Sequence, residues 1–204
     1  MSKKAVKTPA TNDKKMRTKD LIYAGAFGAI YIVLMLIIVM ASGMIPILYI
    51  IAPLTVGVVC GTVYMLCVLK VHKFGAALIL GVLFALVACS SAWQSFVVAI
   101  VAALGAELLL FLGKYKSKKM YMASYAVFNL TMAGPFFMLF IARDHFLDIA
   151  SSYYGQAHAD GLAAVTPDWI YFAILGLAIA GGIIGSLLAS KLVKKHFEKA
   201  GITG

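Results

Sequence analysis

Two groups of residues in this sequence could do chemistry, and they lie apart along the chain. The first is a single carboxylate, Glu107, in the run "GAELLLFLGKYKSKK". It stands 14 residues past Trp93, about 21 Å along a helix. A carboxylate inside an apolar segment is a functional candidate by default, as a proton relay or ion-coupling group. The structural alternative is that it pairs with basic residues of the nearby turns or stays protonated. The spans offer it no partnering Asp, Arg or His, which favours that alternative over proton-coupled transport.

The second group is mostly neutral and gathers at the opposite ends of the apolar segments. Tyr49 and Pro53 mark an interrupted start to one segment, because Pro53 removes a helix hydrogen bond and frees carbonyls. "CSSAWQS" brings Ser90, Ser91, Trp93 and Gln94 together. Asn129 falls in the middle of an apolar stretch, Gly134-Pro135 predicts a kink after it, and Arg143, Asp144 and His145 close it. A few polar anchors on apolar walls are the usual form of a small-molecule site. Trp93 and the tyrosines fit an interfacial aromatic belt equally well. His145, Asp148, His158 and Asp160 share one connection without the spacing of a metal site, so no metal is predicted. The sequence has no GxxxxGK[ST], GxSxG or HExxH and no GxGxxG in a fitting context. Neither an enzyme nor a bound cofactor is expected.

The elements that must position these groups are membrane helices. Of 204 residues, 63% are hydrophobic and 13% charged, with mean hydropathy +0.96. A soluble domain is only about half apolar and about a quarter charged. The expected fold is therefore all-α, a polytopic bundle of six spans near 20–41, 46–69, 74–90, 92–113, 120–142 and 168–190. Residues 1–17 read as a disordered basic tail, 18–195 as one membrane domain and 196–204 as a second tail. The first apolar run is too long for a signal-peptide core. Cys60, Cys67 and Cys89 sit in or beside apolar runs and read as small hydrophobes rather than a disulfide framework.

The net charge of +10 has a simple origin in this layout. With six spans, 17 of the 18 Lys and Arg fall on one side, and only Arg143 falls on the other. The positive-inside rule places both termini in the cytoplasm. The charge then reflects orientation and not binding of nucleic acid.

One connection is long, residues 143–167, and holds Asp144, Asp148 and Asp160. Its length suggests a functional loop or a lid. Phe146, Ile149 and Tyr153 have the spacing of a short surface helix, and Thr166, Pro167 and Asp168 read as N-cap, N1 and N2 of the last span.

Small residues cluster on the spans. On the first, Ala24, Gly25, Gly28 and Ala29 cover one face of about 140°, opposite Tyr23, Phe27, Ile30 and Tyr31. Gly57 and Gly61 form GxxxG in the second span, Ala77, Gly81 and Ala85 line the third, and Gly181 and Gly185 recur in the sixth. Such faces let helices approach closely in lipid. For most of them the expectation is packing inside the bundle; for the first span a contact with another protein is the alternative.

"MRTKDLIYAGAFGAIY", "APLTVGVVCGTVYMLCVLKVHKFGA" and "GAELLLFLGKYKSKK" together resemble the substrate-binding S component of energy-coupling factor (ECF) transporters, within the Trep_Strep or MptD-type subgroup. The resemblance spans residues 16–195. It implies a chain that captures a micronutrient at the outer face and docks onto a transmembrane coupling protein carrying two ATPases. It implies docking through Ala24, Gly25, Gly28 and Ala29. It implies substrate contacts by Tyr49, Trp93, Gln94, Asn129 and the 143–167 loop with Arg143 and Tyr153. A self-sufficient carrier or channel, with Glu107 essential, is the alternative.

Overall fold

The structure is a computed structural model that describes residues 16–90 and 92–199. Most of the tail expected at 1–17, together with Ser91 and residues 200–204, lies outside the described residues. Among the described residues the chain is helical throughout, as the composition predicts. Helices α1 (Thr18–Gly43), α2 (Pro46–Val71), α4 (Trp93–Leu112) and α9 (Ile170–Leu192) are long and apolar enough to cross a membrane. A fifth segment is apolar enough to cross only if two bent pieces are taken together. Helix α5 (Lys118–Phe128) tightens into a 3-10 turn over Asn129–Ala133, and after Gly134 a second 3-10 turn leads into α6 (Met138–Ile141). The two pieces bend by 50° at this break, where the sequence places Gly134-Pro135. Helix α3 (Ala76–Ala88) has 13 residues, about 20 Å, and is shorter than the span expected at 74–90.

α3 runs beside α4 from the start of α4 to Glu107. Its start meets the C-terminal half of α4 through Glu107 and Ala77, and its end reaches the start of α4. The start of α1, the 72–75 turn, the 113–117 turn and the end of α9 share one end of the bundle. There Lys73 Nζ lies 2.9 Å from Asp20 Oδ2, Lys70 Nζ lies 5.0 Å from the centre of the Tyr23 ring, and Tyr121 meets His72 Nδ1 at 3.1 Å. The described Lys and Arg residues other than Arg143 all lie in these segments or in the helix ends that adjoin them. The sorting of charge along the sequence thus becomes a basic end and an opposite end that carries Arg143 with Asp144, Asp148, Asp160 and Asp168.

The tightest seam is between α2 and α9. A β-carbon built on Gly181 would lie 2.8 Å from Leu54 Cα, and one on Gly61 would lie 2.8 Å from the carbonyl carbon of Gly185. A β-carbon on Gly185 would collide with the Gly57 carbonyl oxygen. Both helices put glycines at a four-residue spacing on the crossing, so the two backbones touch and dispersion contact replaces side-chain packing. Gly81 of α3 meets Ala103 of α4 in the same way.

Pro53 does not interrupt α2, which runs unbroken from Pro46 to Val71. Pro46 occupies the first turn, where a missing N–H costs nothing. Beyond the bend, the 143–167 connection is two helices, α7 (Arg143–Tyr154) and α8 (Gln156–Val165), hinged at Gly155 with φ +88°. Phe146, Ala150 and Leu162 are buried against Ile50, Phe136 and Ile174, so the pair forms a packed cap over the end opposite the basic one. The chain ends in α10 (Lys194–Lys199) at the basic end. Thr166 does not cap α9: its hydroxyl donates back to Leu162 O at 2.8 Å, and α9 begins only at Ile170.

Candidate functional site

The small face of α1 is divided by the fold. Ala24 and Gly28 are buried, with Gly28 against Leu83 of α3. Gly25 and Ala29 point outward; a β-carbon on Gly25 would have nothing within 4 Å. A face of 140° is wider than one helix contact, so half of it packs inside and half is left over. The outer half continues into exposed Ile22, Val33, Ile37 and Met40. Ala24 and Gly28 therefore serve internal packing, and only Gly25 and Ala29 are available to a partner.

At the end opposite the basic one, beneath the cap, the bundle holds a cavity of about 150 Å³. α1 contributes Met35, Leu36 and Val39, and α2 contributes Tyr49 and Ala52. α3 and the residues after it contribute Phe84, Val87, Ala88 and Ser90. The bent crossing supplies Met132, Pro135 and Phe136. The 50° break falls between Met132 and Pro135, so residues on both sides of it line the cavity. Tyr49 stacks at a tilt on Phe136, with ring centres 4.9 Å apart. Its hydroxyl has no hydrogen-bond partner among the described residues, whereas Ser90 Oγ donates to Val87 O at 2.7 Å. Tyr154 of α7 closes over the end of α1, its hydroxyl 3.0 Å from where a Gly43 β-carbon would stand.

Of the six residues expected at the substrate site, the fold brings only Tyr49 to this cavity. Trp93, 68% exposed, and Tyr153, 80% exposed, face outward. Gln94 is part-buried at the start of α4 but does not line the cavity. Asn129 is wholly buried and holds helices together: Nδ2 donates to Pro53 O at 3.0 Å and to Ala178 O at 2.7 Å. It thus joins α2 to α9 beside their glycine crossing. Arg143 donates through Nη2 to Ala163 O at 2.9 Å and Thr166 O at 2.8 Å. A guanidinium there satisfies the terminal carbonyls of α8 and complements the helix dipole. Arg143→Ala should release the cap: amide exchange over 156–165 should speed at least tenfold while the α2–α9 seam keeps its protection, which hydrogen exchange read by mass spectrometry would resolve.

Met35, Phe84, Met132 and Phe136 wall the cavity, and the sequence alone did not single them out. Buried Met and Phe in an apolar helix read as ordinary core, and only helix rotation distinguishes the two.

The second chemical candidate sits at the basic end. Glu107 is wholly buried. Its Oε2 accepts from the backbone N–H of Ala77 at 2.9 Å and of Leu78 at 3.2 Å, and its Oε1 accepts from the Tyr115 hydroxyl at 2.8 Å. Ala77 and Leu78 are the second and third residues of α3, whose own cap position is Gly75, without a capping side chain. Glu107 therefore caps α3 from the neighbouring helix, in the manner of an N-cap carboxylate. His72 and Tyr121 extend the cluster, and burial together with nearby Lys116 holds His72 below its ordinary pKa. Among the described residues no three potential metal ligands come together.

Residues 18–199 match a family model described as a hypothetical bacterial integral membrane protein (Trep_Strep), and the chain belongs to that family. No curated protein and no solved structure matches it.

Proposed function

We propose that this Trep_Strep integral membrane protein is the substrate-capturing S component of an ECF-type transporter. In this reading it is a binding subunit without catalytic activity of its own. It holds a small micronutrient near the outer face and depends on a transmembrane coupling protein and two ATPases for uptake. The observation that carries the reading is the small cavity with apolar and aromatic walls at the end of the bundle opposite its basic end. By the positive-inside rule the basic end, with both termini, is cytoplasmic and the cavity is extracytoplasmic. All six segments, short α3 included, then run between the two faces.

Two further observations support it. The spans hold no free ionisable pair to couple transport to an ion, since Glu107 is occupied as the cap of α3. The exposed side of α1 carries a flat strip at Gly25 and Ala29 where another helix can approach closely.

The test is gentle extraction from the native membrane followed by native mass spectrometry. Wild type is expected to emerge with a coupling protein and two ATPases. Gly25→Leu and Ala29→Leu should reduce the recovered complex at least tenfold and leave the monomer folded. Gly28→Leu should instead lower the monomer's own melting temperature, because its side chain would collide with Leu83. A bare wild-type chain that transports substrate alone would overturn the reading in favour of a self-sufficient carrier.

A further inference from the structure

We infer that the cavity beneath the cap selects an uncharged molecule about the size of one aromatic ring, held by its faces and by one hydrogen bond to Tyr49. The inference rests on the capture reading above and adds the chemical class of the captured molecule. Size is the first argument. A cavity of about 150 Å³ is of the order that holds a benzene-sized guest, and it lies below the usual range for larger ligands, about 300–1,000 Å³.

Charge is the second argument. The lining contains no Lys, Arg, His, Asp or Glu. The one cation at this end, Arg143, has its Nη2 turned onto the α8 carbonyls. A carboxylate or ammonium entering here would lose its water and meet no counter-ion, a cost of several kcal/mol. A neutral ring loses little and meets two aromatic walls, Phe84 and Phe136, and two soft thioethers, Met35 and Met132. The third argument is the polar group that remains. Tyr49 lines the cavity, its hydroxyl has no hydrogen-bond partner among the described residues, and a phenol can donate or accept. A neutral guest with one hydroxyl, carbonyl or ring nitrogen would satisfy it.

The experiment uses the full chain in lipid nanodiscs and three fluorinated probes of one ring size: neutral 4-fluorophenol, anionic 4-fluorobenzoate and cationic 4-fluorobenzylamine. Binding is read by fluorine NMR. Partition into the bilayer is removed by comparison with nanodiscs carrying Ala88→Leu or Ala52→Leu, which fill the cavity from two different helices. The phenol is expected to bind saturably with Kd on the order of 1 mM or tighter. The two ions should bind at least tenfold more weakly. Both filled variants should lose the saturable signal, and Tyr49→Phe should weaken the phenol roughly fivefold.

Equal or tighter binding of either ion overturns the inference. So does the absence of saturable phenol binding to wild type, or its survival in the filled variants. A phospholipid seen by native mass spectrometry on wild type but lost from Ala88→Leu overturns it in favour of a lipid chain. If one filled variant fails to fold, the other carries the comparison; if both fail, the charge series on wild type decides. An intact complex with the coupling protein alongside a failed charge series would leave the S-component reading standing and remove only the ligand class.

Discussion

Gly185→Leu should prevent the bundle from forming. A β-carbon at Gly185 collides with the Gly57 carbonyl oxygen and would lie 3.1 Å from the Tyr125 ring. The atom it strikes is backbone, which cannot rotate aside. Relief requires α2 and α9 to separate, and separation breaks more than one contact. Asn129 reaches both helices at once, and Tyr125 OH donates to Gly57 O at 2.7 Å across the same crossing. Pulling the helices apart strands these polar groups in a medium without water. The expected loss is on the order of 4 kcal/mol or more, with Gly181→Leu equivalent. Gly176→Leu is the control: it changes the same helix, yet a β-carbon there meets nothing within 4 Å. Thermal unfolding in a mild detergent and the yield of monodisperse protein would check the contrast. A Gly185→Leu protein as stable as the Gly176→Leu protein would show that the crossing is not where the fold is held.

Glu107→Ala is expected to be the next most damaging change, and to act on stability rather than on coupling. The substitution leaves the Ala77 and Leu78 N–H groups and the Tyr115 hydroxyl without an acceptor. A buried donor left unmet costs about 1–3 kcal/mol; the Ala77 bond is buried and the Leu78 and Tyr115 bonds are part-buried, so a total of about 3 kcal/mol is expected. Exchange should rise first in the opening turn of α3. Glu107→Gln keeps one carbonyl oxygen for the helix terminus and should restore most of the stability. The two variants separate the readings of this carboxylate. A cap is rescued by glutamine, whereas a proton relay is not. On the proposed S-component function, uptake in cells that supply a coupling protein and ATPases should therefore survive Glu107→Gln nearly unchanged. Loss of uptake in a stable Glu107→Gln protein would return the carboxylate to the role of a coupling group.

These cases also mark how far the sequence could be read. It carried the membrane setting, the helical fold, the kink at Gly134-Pro135 and the gathering of Lys and Arg at one end. Each of these follows from quantities local to the chain: hydropathy over a window, the backbone limits of Gly-Pro, and the order of charges between apolar runs. It also carried the expectation that glycines in the second and last spans pack within the bundle. The polar residues were legible only as present. Asn129, Arg143 and Glu107 each looked able to serve a ligand, and in the fold each satisfies backbone groups of another helix. A carbonyl beside Pro53, the last turn of α8 and the bare start of α3 lie 76, 20 and 30 residues away in sequence from the side chains that meet them. Nothing in local spacing records such a meeting.

Membership of the lipid bilayer and the sorting of charge were thus determined by sequence alone, because burial in lipid acts on each segment separately. Tertiary structure decided which half of the α1 small face is free, that Tyr49 meets Phe136 across a cavity, and that α7 and α8 close over it. Those outcomes depend on the rotation and tilt of each helix about its neighbours, and these are set by where backbones can touch.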